Sequence, residues 1–373
     1  MDIRRFEIAG LAYSRLRYVI DLIRKGQWKR AYNHLWVALF TRDAGIALQD
    51  TIYRFVPFIR PYPEAIEVEV TTRCHLRCTM CEHTYWKEPS RDMSFDEFKR
   101  VIDQFPKLKW IGTTGIGSAF LNKDFVKMLR FLKGKDMFVE LYDSFDLVDE
   151  RIAEEIVDMG LDKIWISLDG ATQEAYGQIR VGTSLAKVLK NLTTLMDIKE
   201  RKRSPFPEVW FQVIVSKPNI KEMPQIVELV HSLIRGRRYN YATLIFWTNI
   251  LCFEEVRKMG TSIPDGIRKE VTELARRYHM YTTWNENVLP THSPSYCARW
   301  NAPFVLATGH IQPCCVINNA NQRDHQKKYS FVNLFHDDFG AYWRSKEFRA
   351  FLKTLRSDRF PAICTYCRAY IPK

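Results

Sequence analysis

From residue 64 onward, short apolar runs and amphipathic runs take turns, and this alternation narrows the possible folds more than any other feature of the chain. AIEVEVTT (65–72), KWIGTTG (109–115), MFVELYDSF (137–145), KIWISLDG (163–170), VWFQVIVS (209–216) and YATLIFWTN (241–249) read as strands. Between them SFDEFKRVIDQF (94–105), KDFVKMLRFLKG (123–134), VDERIAEEIVDMG (148–160), SLAKVLKNLTTLMDIKE (184–200) and KEMPQIVELVHSLI (221–234) read as helices. Ser94 with Glu97 makes a capping box, and Gly160 closes its helix. Strands separated by helices imply a parallel sheet with crossover connections. Six β/α units fall short of the eight that close a barrel. The expected fold is therefore α/β, a partial (β/α)6 TIM-like barrel whose chemistry lies at the carboxyl ends of the strands.

Two segments flank that core. Residues 1–62 form an expected helical N-terminal extension ending at RPYPEA, where Pro61 and Pro63 mark the boundary. Residues 63–288 form the barrel and 289–373 a small C-terminal domain. In the last, PFVLATGHIQPCC (303–315) reads as a hairpin turning at Thr308-Gly309, and FGAYWRSKEFRAFLKTLR (339–356) as one helix.

The 373 residues carry 56 Lys and Arg against 43 Asp and Glu, a net charge of +13. Such a balance favours anionic partners. No nucleic-acid motif accompanies it, so a phosphorylated substrate or an anionic lipid fits better than RNA or DNA. No run is long enough to span a bilayer, and the N-terminus lacks a secretory apolar core. A cytoplasmic protein is expected. Residues 1–40 contain basic amphipathic helices with aromatics, which either pack on the next domain or touch a membrane peripherally.

In a reducing compartment, nine cysteines mean metal or catalysis rather than disulfides. Cys74, Cys78 and Cys81 follow C-x3-C-x2-C just past the first strand. With His83 they supply the four ligands of a structural zinc site. As an iron–sulfur site, three thiolates leave one iron of a cubane open to a chelating ligand such as an amino acid's amine and carboxylate.

That spacing after the first strand of a six-unit β/α chain resembles the radical S-adenosylmethionine (SAM) superfamily. The resemblance implies a [4Fe-4S] cluster on Cys74, Cys78 and Cys81, with SAM chelating the open iron. It further implies reductive cleavage of SAM to a 5′-deoxyadenosyl radical that abstracts hydrogen from a substrate, with an external low-potential electron donor of flavodoxin or ferredoxin type. ISLDGATQEAYGQIRVGTSLAKVLKNL (166–192) resembles the fourth strand and following helix of the subgroup with auxiliary clusters. By that likeness Ser167 and Arg180 contact the SAM carboxylate, Asp169 lies at the strand end, and Met80 packs near adenine. The family's Gly-Gly-Glu-Pro-like run at the second strand, which meets the SAM amine, is here TTGIGSAFLN (113–122). Gly115 and Gly117 remain, but Ser118 and Ala119 replace the acid and proline, leaving a hydroxyl and carbonyls as acceptors.

The C-terminal cysteines read C-x11-G-x4-C from Cys297 through Gly309 to Cys314, then C-x2-C at Cys364 and Cys367. This is similar to the extension of SPASM and twitch-type radical SAM proteins. It implies one auxiliary [4Fe-4S] cluster on Cys297, Cys314, Cys364 and Cys367, with Cys315 the alternate to Cys314; a zinc ribbon is the competing assignment. Cys252 is left as a buried thiol. The expected function is hydrogen abstraction from a small or lipid-linked metabolite, an anionic one being in keeping with the net charge, with the auxiliary cluster relaying an electron. A peptide maturase and a non-enzymatic zinc scaffold are the alternatives.

Overall fold

All six expected strands form in the computed structural model: β1 (Ala65–Val68), β2 (Trp110–Thr113), β3 (Phe138–Asp143), β4 (Lys163–Ser167), β5 (Glu208–Ile214) and β6 (Ala242–Trp247). The residues described are 16, 18–40, 52, 62–248, 254–285, 299–355, 361–365 and 367. A seventh strand, β7 (Tyr281–Asn285), pairs parallel to β6 and was not expected. Its residues Tyr281–Trp284 are half-buried, so it carries no continuous apolar run to betray it. The C-terminal hairpin is β8 (Phe304–Val305) and β9 (Ile311–Gln312), turning through Gly309 at φ +82°.

The chain divides into two units. One comprises Met1–Gly26, His75–Thr84 and Glu140–Asn287; the other comprises Gln27–Cys74, Tyr85–Val139 and Val288–Lys373. Strand β3 begins in the second unit and continues in the first.

In the first unit the strand order is β7-β6-β5-β4-β3, all parallel. Ile164, Ile166, Phe211, Val213, Leu244 and Phe246 are buried, because parallel strands covered by crossover helices meet no water on either face. The helix Leu185–Lys202 contributes Val188, Leu192, Leu195 and Met196 to that core. The register sets Ser167 opposite Gln212, and the Gln212 amide donates to the Ser167 hydroxyl at 2.9 Å.

In the second unit the order is β2-β1-β8-β9. β1 lies parallel to both β2 and β8, so the C-terminal segment extends the sheet that β1 begins. The helix Phe95–Asp103 starts with the expected capping box: Glu97 N–H donates to the Ser94 hydroxyl at 3.3 Å, and Ser94 N–H to the Glu97 carboxylate at 2.9 Å. The expected single helix over 339–356 is two, Phe339–Arg344 and Lys346–Thr354. Ser345 separates them because its hydroxyl accepts from Phe348 N–H and so caps a new helix. Phe339, Trp343, Phe348 and Trp300 bury themselves there with Tyr62 against Phe339 and Trp343.

Candidate active site

Ser167 ends β4 with Asp169 just beyond it, and Gly115, Gly117 and Ser118 follow the end of β2. In the first unit, the segment His75–Thr84 is pinned to the turn after the helix Gln173–Ile179. Arg77 N–H donates to Val181 O at 2.8 Å and Thr79 N–H to Ile179 O at 2.9 Å. Gly182, at φ +107°, is where the turn comes closest: a Cβ there would lie 3.2 Å from a Leu76 methyl. This clamp fixes the backbone on which Cys78 and Cys81 sit.

Both sulfurs accept hydrogen bonds. The Arg180 guanidinium lies 3.7 Å from Cys78 Sγ, and His83 N–H donates to Cys81 Sγ at 3.4 Å. Donors aimed at the sulfurs are the kind of contact that tunes an iron–sulfur cluster. Cys78 and Met80 are buried; Cys81 is half-buried. Cys74, also half-buried, belongs to the second unit.

Arg180 is already engaged. Its Nε and terminal nitrogen lie 2.5 Å from the buried Asp169 carboxylate, whose other oxygen accepts from Ile214 N–H at 2.7 Å. Burial works to lower the guanidinium's pKa, but Asp169 and the Cys78 sulfur outweigh it and hold the charge on Arg180 more firmly than usual. Of five guanidinium N–H groups, Asp169 takes two and Cys78 one, which leaves two for a further anion. Ser167 is buried beside Gln212.

The end of β3 holds groups that sequence reasoning missed. Asp146 lies 2.6 Å from His75 Nε2 and accepts from the Ser144 hydroxyl at 2.6 Å. Burial pushes the Asp146 carboxyl up, but these two partners bring it below its ordinary range. Asp143 goes the other way: burial raises it to about 7, although Phe145 N–H donates to it at 2.6 Å. Its second oxygen is buried with no hydrogen-bond partner among the described residues. The run YDSFD at a strand end was the available signal.

In the second unit, the loop after β2 lies flat on the chain leading to Cys74. Ser118 N–H donates to Arg73 O at 2.7 Å, and a Cβ on Gly117 would come within 2.4 Å of Thr71 O. Gly115, at φ +159°, lies against Glu69: a Cβ there would stand 2.5 Å from Glu69 Cγ. The Ser118 hydroxyl is buried with no hydrogen-bond partner among the described residues. Arg73 pairs with Asp92 at 2.6 Å, and the Thr71 hydroxyl donates to Asp92 at 2.6 Å. Glu69 itself, just past β1, accepts from Ile116 N–H at 3.1 Å, Ala307 N–H at 3.3 Å and Arg323 at 2.7 Å.

Arg323 opens the helix Arg323–Lys328, which also ties together the cysteine-bearing turns Cys315–Ile317 and Ala362–Cys364. The Gln326 amide donates to Ile317 O at 2.7 Å, and His325 Nε2 to Ala362 O at 2.9 Å. Cys314, Cys364 and Cys367 are buried, and Cys364 and Cys367 pack with Ile317, Ile363, Val316 and Phe351. Cys315 is half-buried. Cys297 and Cys252 lie outside the described residues. A dry, all-thiol donor set suits a cluster of iron and sulfide. Among the described residues no three His, Cys, Asp or Glu side chains converge as they do on a single ion.

Comparison with known proteins bears on the same residues. The family model described as the Radical SAM superfamily matches residues 68–230, and that described as SPASM, an iron–sulfur cluster-binding domain, matches residues 297–368. The chain is 28% identical over 320 residues to the tungsten-containing aldehyde ferredoxin oxidoreductase cofactor-modifying protein of Pyrococcus furiosus, covering 80% of this chain and 86% of that one. It is 23% identical to the probable GTP 3′,8-cyclase of Archaeoglobus fulgidus, over 68% of this chain and 86% of the relative. Among solved structures, Streptococcus suis SuiB bound to S-adenosylmethionine superposes with a TM-score of 0.60 at 13% identity, over 93% of this chain and 81% of SuiB. That likeness places the α/β fold in the TIM-like class expected from the sequence.

Proposed function

This chain belongs to the radical SAM superfamily and carries a C-terminal SPASM-type iron–sulfur domain, and from that premise we propose that it is an oxidising enzyme acting on a small or lipid-linked metabolite. It is an enzyme with SAM and iron–sulfur cofactors, so the zinc-scaffold alternative is set aside. The observation that carries the mechanistic reading is the Arg180 guanidinium bridging the Asp169 carboxylate and the Cys78 sulfur.

In this reading Cys74, Cys78 and Cys81 hold the SAM-binding [4Fe-4S] cluster. With SAM bound, such a cluster would supply the one-electron reductive chemistry that starts hydrogen abstraction from the substrate. Arg180 receives the SAM carboxylate on its two remaining N–H groups, oriented by Asp169. Ser167 adds a hydroxyl to the same anion, and Met80 supplies an apolar wall for adenine. Glu69 is a weaker stand-in for the missing acid, because Arg323 neutralises its charge and two amides engage it as well. The ammonium is left to the Ser118 hydroxyl and the carbonyls beside Gly115 and Gly117. Cys297, Cys314, Cys364 and Cys367 hold the auxiliary cluster, with Cys315 the alternate to Cys314. Held by four thiolates, such a cluster would have no open iron for substrate and would supply electron-accepting chemistry. The first electron comes from an external flavodoxin or ferredoxin type donor.

The Pyrococcus furiosus relative, whose name describes modification of a cofactor and which matches over most of both chains, supports a small-molecule substrate. Peptide modification is the second reading. It is favoured by 27% identity to a PqqA peptide cyclase of Rhodopseudomonas palustris, over 45% of that protein. Deuterium transfer separates the two. Extracts of the source cells grown in heavy water are split into small-molecule, lipid and peptide fractions and offered to the reduced enzyme. Deuterium in 5′-deoxyadenosine is expected with the small-molecule or lipid fraction. Label arising from the peptide fraction alone overturns the proposal.

A further inference from the structure

The helix Trp28–Phe40 has two apolar faces, and the described residues bury only one of them. Ala31, Asn33, His34 and Val37 are buried. Asn33 donates to Asp136 O at 2.9 Å, the His34 ring meets Phe138 edge-on at 4.8 Å, and Val37 packs with Trp110 and Phe138. This seats one side of the helix on its own unit. The outward side ought to be polar. Instead Trp28, Tyr32, Leu35 and Leu39, spaced i, i+4, i+7 and i+11, form a single stripe with 64%, 55%, 44% and 64% of their surfaces exposed. Residues 31–40 contain no Asp, Glu, Lys or Arg at all.

We infer that this stripe is a docking face for an anionic lipid surface. The charge around it selects that occupant. Lys29 and Arg30 lie in the first turn of the helix, and Arg24 and Lys25 precede it in the sequence, with Asp21 the one acidic residue in 21–30. Lys109 Nζ stands 3.2 Å from the Tyr32 hydroxyl and 4.9 Å from the centre of its ring, but Glu64 pairs with it at 2.5 Å, so the basic charge beside the stripe comes from the start of the helix. Two copies of a chain with net charge +13 repel when their basic flanks meet, whereas an anionic bilayer attracts both the flank and the whole molecule. Trp28 and Tyr32 are the side-chain types that settle at the headgroup level, and Leu35 and Leu39 reach the acyl boundary between them. Among the described residues no helix is long and apolar enough to cross a membrane, so the contact is peripheral. The inference does not rest on the radical SAM chemistry, but it brings the enzyme to where a lipid-linked substrate resides.

The test is co-sedimentation of the full-length holoenzyme with vesicles of phosphatidylcholine alone and of phosphatidylcholine with about one third phosphatidylglycerol, alongside its mass in solution. Binding to the mixed vesicles, weakened by salt and nearly absent from the neutral ones, is expected. Leu39→Glu and Trp28→Ser should each lower it about tenfold or more, with melting temperature and 5′-deoxyadenosine release unchanged. Equal binding to both vesicle types overturns the anionic assignment. No binding to either overturns the inference, and a dimer dissolved by the same substitutions assigns the stripe to a second copy instead.

Discussion

Arg323 and Glu69 form an ion pair 2.7 Å long with side chains only 4% and 1% exposed, joining residues 254 positions apart. It links the helix that carries the two cysteine-bearing turns to the strand end under residues 115–117. Removing one member leaves the other buried and uncompensated, which costs about 3–5 kcal/mol. Arg323→Leu and Glu69→Gln should each lower stability on that scale. The double substitution should cost clearly less than their sum. Chemical denaturation of the anaerobic protein measures all three, and an additive cycle would show that the two residues act independently.

The Arg180 prediction concerns SAM rather than the cluster. Lysine keeps the positive charge but not the planar fork that reaches Asp169, Cys78 and a further carboxylate together. Arg180→Lys should raise the KM for SAM in substrate-free cleavage about tenfold or more, with iron content at the wild-type level. An unchanged KM would remove Arg180 from the carboxylate site.

Two glycines give a contrast in packing. Gly117 has carbonyl oxygens of Thr71 and Arg73 at 2.4 and 2.6 Å from where a Cβ would stand, while Gly134 has nothing within 4 Å. Gly117→Ala must displace backbone and should abolish 5′-deoxyadenosine release. Gly134→Ala, at the end of a helix, should be silent or stabilise by about 0.5–1 kcal/mol. Activity assays and thermal melts of the two variants provide the comparison.

Lys199 makes stability depend on pH. It is fully buried, its ammonium nitrogen donates to Pro207 O at 2.8 Å, and burial pushes its pKa down from 10.5 to about 7. Between those two values the unfolded chain binds more protons than the folded one, so stability rises with pH through that window. Below about 7 this contribution is gone. The gain in melting temperature from pH 7 to pH 9.5 should be smaller in Lys199→Met than in the wild type. Equal gains would contradict the assignment.

Much of the fold was legible because buried parallel strands write themselves as apolar runs, as in KIWISL and VWFQVIV. β7 was not, since half-buried YTTW (281–284) mixes aromatic and polar side chains. The helix break at Ser345 depended on one side-chain cap inside an otherwise helical pattern. The spacing of the cysteines pointed to the family, whose models match residues 68–230 and 297–368. Glu69 was not legible: in IEVEV its alternation with valine reads as a solvent-facing position, and only Arg323, far along the chain, makes it a buried one. Asp143 and the His75–Asp146 pair were hidden for the same reason, because burial and partner choice are set by contacts between distant segments.

The most direct test is anaerobic reconstitution with iron and sulfide, followed by reduction in the presence of SAM and measurement of 5′-deoxyadenosine. The wild-type protein should release it, Cys78→Ala should release none, and Cys364→Ala should retain part of the activity because it affects only the auxiliary site. A reconstituted wild-type protein that binds iron and sulfide yet leaves SAM intact, or a Cys78→Ala variant that cleaves it as well as wild type, would contradict the account.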